Sequence, residues 1–277
     1  MKKAEINHIN TADIKVEDLT PAMQEYLKIK HQNPDKILLY RLGDFYETFF
    51  EDAVIMSKEL ELTLTGREQG KFGRIPLAGI PAKAVNNYIE KLVQKNYKVI
   101  ICDQLEDPKF AKGLVKRGVT RIVTSGTLTE SDFLQQNSNN YICALFKDDK
   151  KDIWGFSYAD ISTGEFYSAE IKDNYNFPML LDEIARYTPS ELVINSMMGD
   201  CTDEINKIKE RFENIYITHF NDSFFKYDID VLPLRFNIID NKGKIIENIS
   251  EYTLAVPSIN ALIEYIEQTQ KTNLDHI

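Results

Sequence analysis

Residues 19–53, LTPAMQEYLKIKHQNPDKILLYRLGDFYETFFEDA, read as helix, strand, turn, strand and helix, and that alternation makes the chain an α/β protein. Thr20-Pro21 opens the first helix, with Thr as the cap and Pro in the first turn, where its missing N–H costs nothing. Met23, Tyr26 and Leu27 then fall at core spacing, and Asn33-Pro34 stops the helix. Ile37 to Leu42 is an apolar, strand-like run. Gly43 interrupts it, Phe45 to Phe50 continues extended, and Ala53, Val54, Met56 and Leu60 mark the next helix.

Working outward, Leu62 to Thr65 reads as a strand and Gly66 to Arg74 as an exposed, glycine-punctuated loop carrying Arg67, Lys71 and Arg74. After Pro76 to Pro81 comes a helix with Val85, Tyr88, Ile89, Leu92 and Val93 on one face. Strands Tyr97 to Cys102 and Val119 to Thr124 close the unit. Residues 1–18 have no period and are expected to form a flexible arm. The polar run Ser131 to Asn140 marks a boundary, giving a first domain at 19–133, a linker at 134–140 and a second domain at 141–277. In the second domain, Tyr141 to Phe146, the Trp154-Phe156-Tyr158 alternation and Glu165 to Ile171 form a meander turned at Asp160 to Gly164. Helix Pro178 to Tyr187, strand Glu191 to Ile194, helix Thr202 to Phe212, strand Asn214 to Thr218 and a last helix through Ile259, Leu262, Ile263 and Ile266 follow.

The length, 277 residues, suits two domains at about 150 residues each. No apolar run approaches the roughly 18 residues of a bilayer span, and no signal-peptide core follows Met1, so a cytoplasmic location is expected. Three cysteines without paired spacing and four scattered histidines argue against a disulfide framework or a structural metal. The net charge of -10 is unevenly spread: residues 1–133 hold 20 basic against 19 acidic side chains, residues 134–277 hold 13 against 24. Lys109 to Arg121 carries five basic residues and no acidic one, including Lys112, Lys116 and Arg117. Such a segment is either a phosphate-binding surface or a solvated, solubilising face.

No phosphate-binding GxxxxGK[ST] loop and no nucleophile signature occurs. The best chemical constellation is Gly43-Asp44-Phe45-Tyr46-Glu47, because residues two apart on a strand share a face, which pairs Phe45 with Glu47. An aromatic wedge beside a hydrogen-bonding group is what a minor-groove binder uses to unstack a base step and hold the displaced base. The plainer alternative has Phe45 in the core and Glu47 as an edge carboxylate.

The 19–53 run, followed by "RIPLAGIP" (74–81), "ICDQLEDP" (101–108) and "RIVTSGT" (121–127), resembles the mismatch-recognition domain of the bacterial MutS family of DNA mismatch repair proteins. "ADISTGEF" (159–166), "DEIARYTPSELVI" (182–194) and "EQTQKTNLDHI" (267–277) resemble the family's connector domain. The resemblance implies a mixed-sheet α/β domain followed by an RNase H-like α/β domain. It further implies that Phe45 stacks on a mispaired base, that Glu47 hydrogen-bonds to it, and that Arg67, with Lys71 and Arg74, lies near the DNA. The connector of that family contacts its other domains and a MutL partner. ATP and magnesium belong to the family's ATPase domain, which this sequence does not reach, so no cofactor and no catalysis are expected of these residues. Ala82-Lys83 stands where the family usually has Tyr-His, and Ser125 where it usually has Pro.

Mechanistically, insertion of Phe45 costs a few kcal/mol of unstacking, less where a mismatch has already weakened the stack. A carboxylate facing polyanionic DNA is disfavoured, so the Glu47 pKa is expected to rise on binding. Two other functions compete. Asp160 with Asp182 or Glu183 would hold metal for a nuclease, and the acidic second half suits a protein-interaction module without DNA binding.

Overall fold

The computed structural model describes residues 11, 14–106, 113, 115–129, 139–148, 153–172, 177–196, 198, 202–229 and 255–271. Lys112 and most of the expected linker lie outside them. The chain divides into two units, Thr124 being the last described residue of the first and Ser125 the first of the second.

In the first unit the expected helix forms as α1 (Pro21–Gln32), with Pro21 in its first turn, and Met23, Tyr26 and Leu27 are buried. Strand β1 (Lys36–Leu42) and β2 (Phe45–Phe49) make a hairpin in which Leu42 pairs with Phe45, leaving a two-residue turn at Gly43-Asp44. Gly43 has φ of 60°. Glycine in the first central position is what a tight turn of this hand requires. Helix α2 (Phe50–Glu59) follows at once, then β3 (Thr65–Glu68), β4 (Arg74–Pro81), α3 (Val85–Gln94), β5 (Lys98–Gln104) and β6 (Arg117–Val123). The sheet order is β3-β4-β2-β1-β5-β6, mixed because β1 and β5 are parallel and the other neighbours antiparallel.

One face of this sheet, with Leu38, Tyr40, Phe49, Ile75, Ile100 and Cys102, packs on Met23, Tyr26 and Leu27 of α1. Helix α2 lies on the opposite face, where the Thr48 hydroxyl meets the Met56 sulfur. Lys30 of α1 and Asp52 of α2 form a buried pair at 2.8 Å, and Asp52 also accepts from the Leu38 N–H and the Tyr26 hydroxyl. A buried ion pair is tolerable only with its remaining hydrogen-bonding capacity used in this way.

Two expectations are corrected. The strand after α2 is not Leu62 to Thr65 but Thr65–Glu68, so the basic segment spans a hairpin: Arg67 is on its first strand, Lys71 in the 3-10 turn Gly70–Phe72 that connects the strands, and Arg74 at the start of the second. Leu62 is held by the end of α2, through Leu62 N–H to the Ser57 carbonyl and Ser57 Oγ to the Leu62 carbonyl. The described end of the supposed arm is packed as well: Ile14 is buried in the α1 core and Val16–Asp18 forms a 3-10 turn.

In the second unit β7 (Tyr141–Asp148), β8 (Ile153–Asp160) and β9 (Glu165–Lys172) form the antiparallel meander. After α4 (Phe177–Tyr187), β10 (Glu191–Ile194) pairs parallel with β7, and after α5 (Thr202–Arg211), β11 (Tyr216–His219) pairs parallel with β10. The order β11-β10-β7-β8-β9 is the RNase H-like arrangement. Alternation along the strands divides the core. Cys143, Leu145, Trp154, Phe156 and Tyr158 face α4 and α5, whereas Ile142, Ala144, Ala159 and Val193 face α6 (Ala255–Gln270).

The 3-10 turn Ser125–Thr127, which the sequence reading counts with the first domain, packs in the second. Its Gly126 N–H donates to the buried Glu191 carboxylate at 3.0 Å, which also accepts from the Thr218 and Tyr265 hydroxyls. A Cβ on Gly126 would lie 2.8 Å from Ile142 and 2.9 Å from Glu191. Only glycine permits that approach.

Candidate nucleic-acid interface

The two-residue turn at Gly43-Asp44 places Phe45 at the very start of β2, paired with Leu42 on one side and Pro81 on the other. Period-2 alternation puts Phe45, Glu47 and Phe49 on the α1 side of the sheet and Tyr46 and Thr48 on the other. The three residues of that face have different fates. Phe49 is buried, Glu47 is intermediate, and Phe45 is 47% exposed. Tyr46 is anchored on the far face by its hydroxyl, which donates to Asp103, and by Arg41 over its ring at 5.1 Å. Burial and the Asp103 hydrogen bond push the Tyr46 phenol up to about 12. Phe45 is one of five large apolar side chains exposed among the described residues, and it shares a strand face with a half-buried carboxylate, Glu47.

Glu47 stands opposite Tyr40 on β1 and Gly79 on β4. Tyr40 is engaged with Glu25 of α1 through its hydroxyl. Gly79 contributes no side chain, and a Cβ there would sit 3.6 Å from Glu47 Cγ and 3.8 Å from Phe45 Cδ1. The glycine therefore leaves a bare patch between the two side chains. Gly79 is not among the residues singled out from the sequence, although a glycine inside a strand pattern is a signal worth reading. From β3, Arg67 donates to Glu47 Oε2 at 3.2 Å, with its guanidinium also over the Phe49 ring at 5.8 Å. Burial pushes the Glu47 carboxyl above its ordinary value, against the opposing pull of Arg67.

The remaining candidates are dispersed. Lys71 forms an ion pair with Asp18 and lies by the Phe72 ring. Arg74 folds across Gly66, where a Cβ would lie 2.5 Å from its side chain, and its Nε is buried without a hydrogen-bond partner among the described residues. Lys83 and Lys116 are exposed. Arg117 is not a surface cation: its side chain is 5% exposed, its Nε donates to the Arg41 carbonyl at 2.8 Å, and it stacks on Tyr40 at 5.1 Å. Its place among the expected phosphate contacts is taken by a structural role.

Each of the carboxylates considered for metal is engaged with other partners. Asp160 accepts from the Ser162 N–H and hydroxyl and from the Asn140 N–H, which is the turn role open to any Asp at such a position. Asp182 pairs with Arg211 and Glu183 with Arg186. Among the described residues there is no cluster of three metal-ligating side chains, and no helix is long and apolar enough to cross a membrane.

Comparison with known proteins matches residues 20–132 to the family model "MutS domain I" and residues 140–277 to "MutS domain II". Curated relatives include the DNA mismatch repair protein MutS of Ruminiclostridium cellulolyticum, 46% identical over 261 residues, which covers 94% of this chain and 29% of that protein. The MutS of Acetivibrio thermocellus is 46% identical over 259 residues, 94% of this chain and 29% of the relative. That of Clostridium botulinum strain 657 is 47% identical over 259 residues, 94% of this chain and 26% of the relative. The chain thus spans between a quarter and a third of the length of these relatives.

Proposed function

The chain belongs to the MutS family of DNA mismatch repair proteins, matching its N-terminal region, and from that premise we propose that its first domain reads mispaired or unpaired bases in duplex DNA. Phe45 enters the minor groove and stacks on the base, and Glu47 accepts a hydrogen bond from the base so displaced. The second domain, as connector, carries contacts to the remaining parts of a longer MutS protein and to a MutL homologue. ATP and magnesium have no role in these steps.

The observation that carries this reading is the exposure of Phe45 beside a half-buried carboxylate on a rigid strand. An inserted ring replaces lost base stacking with base-aromatic stacking worth about 1 to 3 kcal/mol. Unstacking a sound step costs a few kcal/mol, so insertion into matched duplex gains little and insertion at a mismatch gains more. Specificity arises largely from the deformability of the DNA and only secondarily from the hydrogen bond.

Phe45→Ala is the test, with matched and single-mismatch duplexes titrated under identical salt. Because the ring is half exposed, the variant keeps its fold by circular dichroism. Preference for the mismatch is expected to vanish while residual, salt-sensitive binding persists. Undiminished preference would return Phe45 to an ordinary surface role.

A further inference from the structure

Glu47 and Arg67 are bound to each other in the chain without DNA, yet both are assigned contacts in the complex. The guanidinium that lies 3.2 Å from Glu47 Oε2 cannot at the same time turn its fork fully to a phosphate. Solvent reaches Arg67 more than Glu47, 44% of its side chain being exposed against 23%. Gly79 lies on β4, the strand between Glu47 and Arg67, and puts no side chain opposite Glu47, so the pair forms and opens across a strand that is bare at that position.

We propose that Arg67 is a specificity-determining residue that exchanges between two anions: it holds Glu47 in the free chain and moves to a DNA phosphate when Phe45 inserts. The inference rests on the mismatch-reading function above and adds to it a cost common to every duplex. Breaking the Glu47–Arg67 pair is needed for any close approach. At a matched step the released carboxylate finds no base to bond and faces phosphates alone. At a mismatch the displaced base supplies the hydrogen bond that Arg67 gave up. The pair therefore raises the threshold for sound DNA more than for a lesion.

Plain repulsion between Glu47 and the phosphates predicts something different, which makes the exchange testable. Under repulsion alone, Arg67 shields the carboxylate, so removing the charge helps more when Arg67 is absent. Under exchange, removing the carboxylate frees Arg67, so the benefit needs Arg67 to be present.

The experiment is a double-mutant cycle in the whole 277-residue chain: parent, Glu47→Gln, Arg67→Ala and the double variant, titrated in low salt with matched and mismatched duplexes. All four are first compared by circular dichroism, and Phe45→Ala is run beside them. Glu47→Gln is expected to tighten matched-duplex binding roughly twofold to fivefold, as the loss of a part-exposed ion pair implies. In the Arg67→Ala background the gain is expected to shrink toward none. An equal or larger gain without Arg67 overturns the exchange while leaving the mismatch reading intact, provided Phe45→Ala still abolishes preference. Phe45-independent binding, or no binding of any duplex, overturns both.

Discussion

At the scale of the residue, Glu47 is the group whose chemistry responds to conditions. Burial raises its carboxyl pKa in the free chain despite Arg67, and phosphates brought close would raise it further. The sign follows from linkage: a group whose pKa is higher in the complex takes up protons on binding, so affinity rises as pH falls through the pKa of the complex and levels off only below the lower pKa of the free chain. Duplex binding by the parent chain is therefore expected to strengthen as pH is lowered from neutrality into the range just above ordinary carboxylate values. Glu47→Gln, which cannot titrate, should flatten that part of the profile for matched DNA. Fluorescence anisotropy at constant ionic strength checks it, and parallel profiles for the two chains would refute it. The same-face placement of Phe45 and Glu47 was legible from period-2 alternation alone. Their partner Arg67 was not, because it reaches Glu47 from β3, two strands away in the sheet and 20 residues along the chain. Nor was the inward turn of Arg117, since a count of basic residues carries no information on orientation; its burial depends on Tyr40 of β1 and the Arg41 carbonyl, 76 residues away.

At the scale of the element, the turn Ser125–Thr127 joins β6 of the first unit to the body of the second with one residue, Thr124, between. Its seat depends on Gly126, whose N–H meets the buried Glu191 and whose missing side chain admits Ile142. Gly126→Ala must displace the turn or the strands beneath it, and overpacking of this kind costs about 1 to 3 kcal/mol. The expected result is a lowered midpoint of thermal unfolding for the second unit, read by the near-ultraviolet signal of Trp154, which lies in that core. An unaltered midpoint would mean the turn is free to relax. Most elements could be read in advance because their signals are local: Thr20-Pro21 and Asn33-Pro34 bracket α1, and the Trp154-Phe156-Tyr158 alternation marks β8. The β3 boundaries could not. Leu62 and Leu64 alternate as a strand would, but Glu61 has φ of 55° and the Ser57–Leu62 hydrogen bonds tie that stretch to α2. Conversely, Gly66 suggests a loop, yet it serves within a strand because the Arg74 side chain crosses above it.

At the scale of the whole molecule, an acidic protein is asked to approach a polyanion, and the net charge of -10 opposes it. The favourable charge is confined to the first unit, where the structure reduces the number of available cations. Arg117 is withdrawn into the fold, while Arg67, Lys71, Lys83 and Lys116 remain at the surface, two of them in ion pairs with Glu47 and Asp18. Each phosphate neutralised contributes about -0.9 to the slope of log affinity against log salt, so about four contacts give a slope near -3.6. Raising salt from about 50 to about 200 mM should then weaken duplex binding roughly 150-fold, for matched and mismatched DNA alike, because stacking and base contacts release few counterions. The mismatch-to-match ratio should stay nearly constant across that range. Arg67→Ala should lower the magnitude of the slope by about one contact, since it removes a cation that reaches phosphate only after leaving Glu47. Titration of both duplexes at several salt concentrations provides the measurement. A slope near zero would show that phosphates are not the main source of affinity, and a ratio that collapses with salt would show that discrimination itself is electrostatic and not a consequence of the wedge.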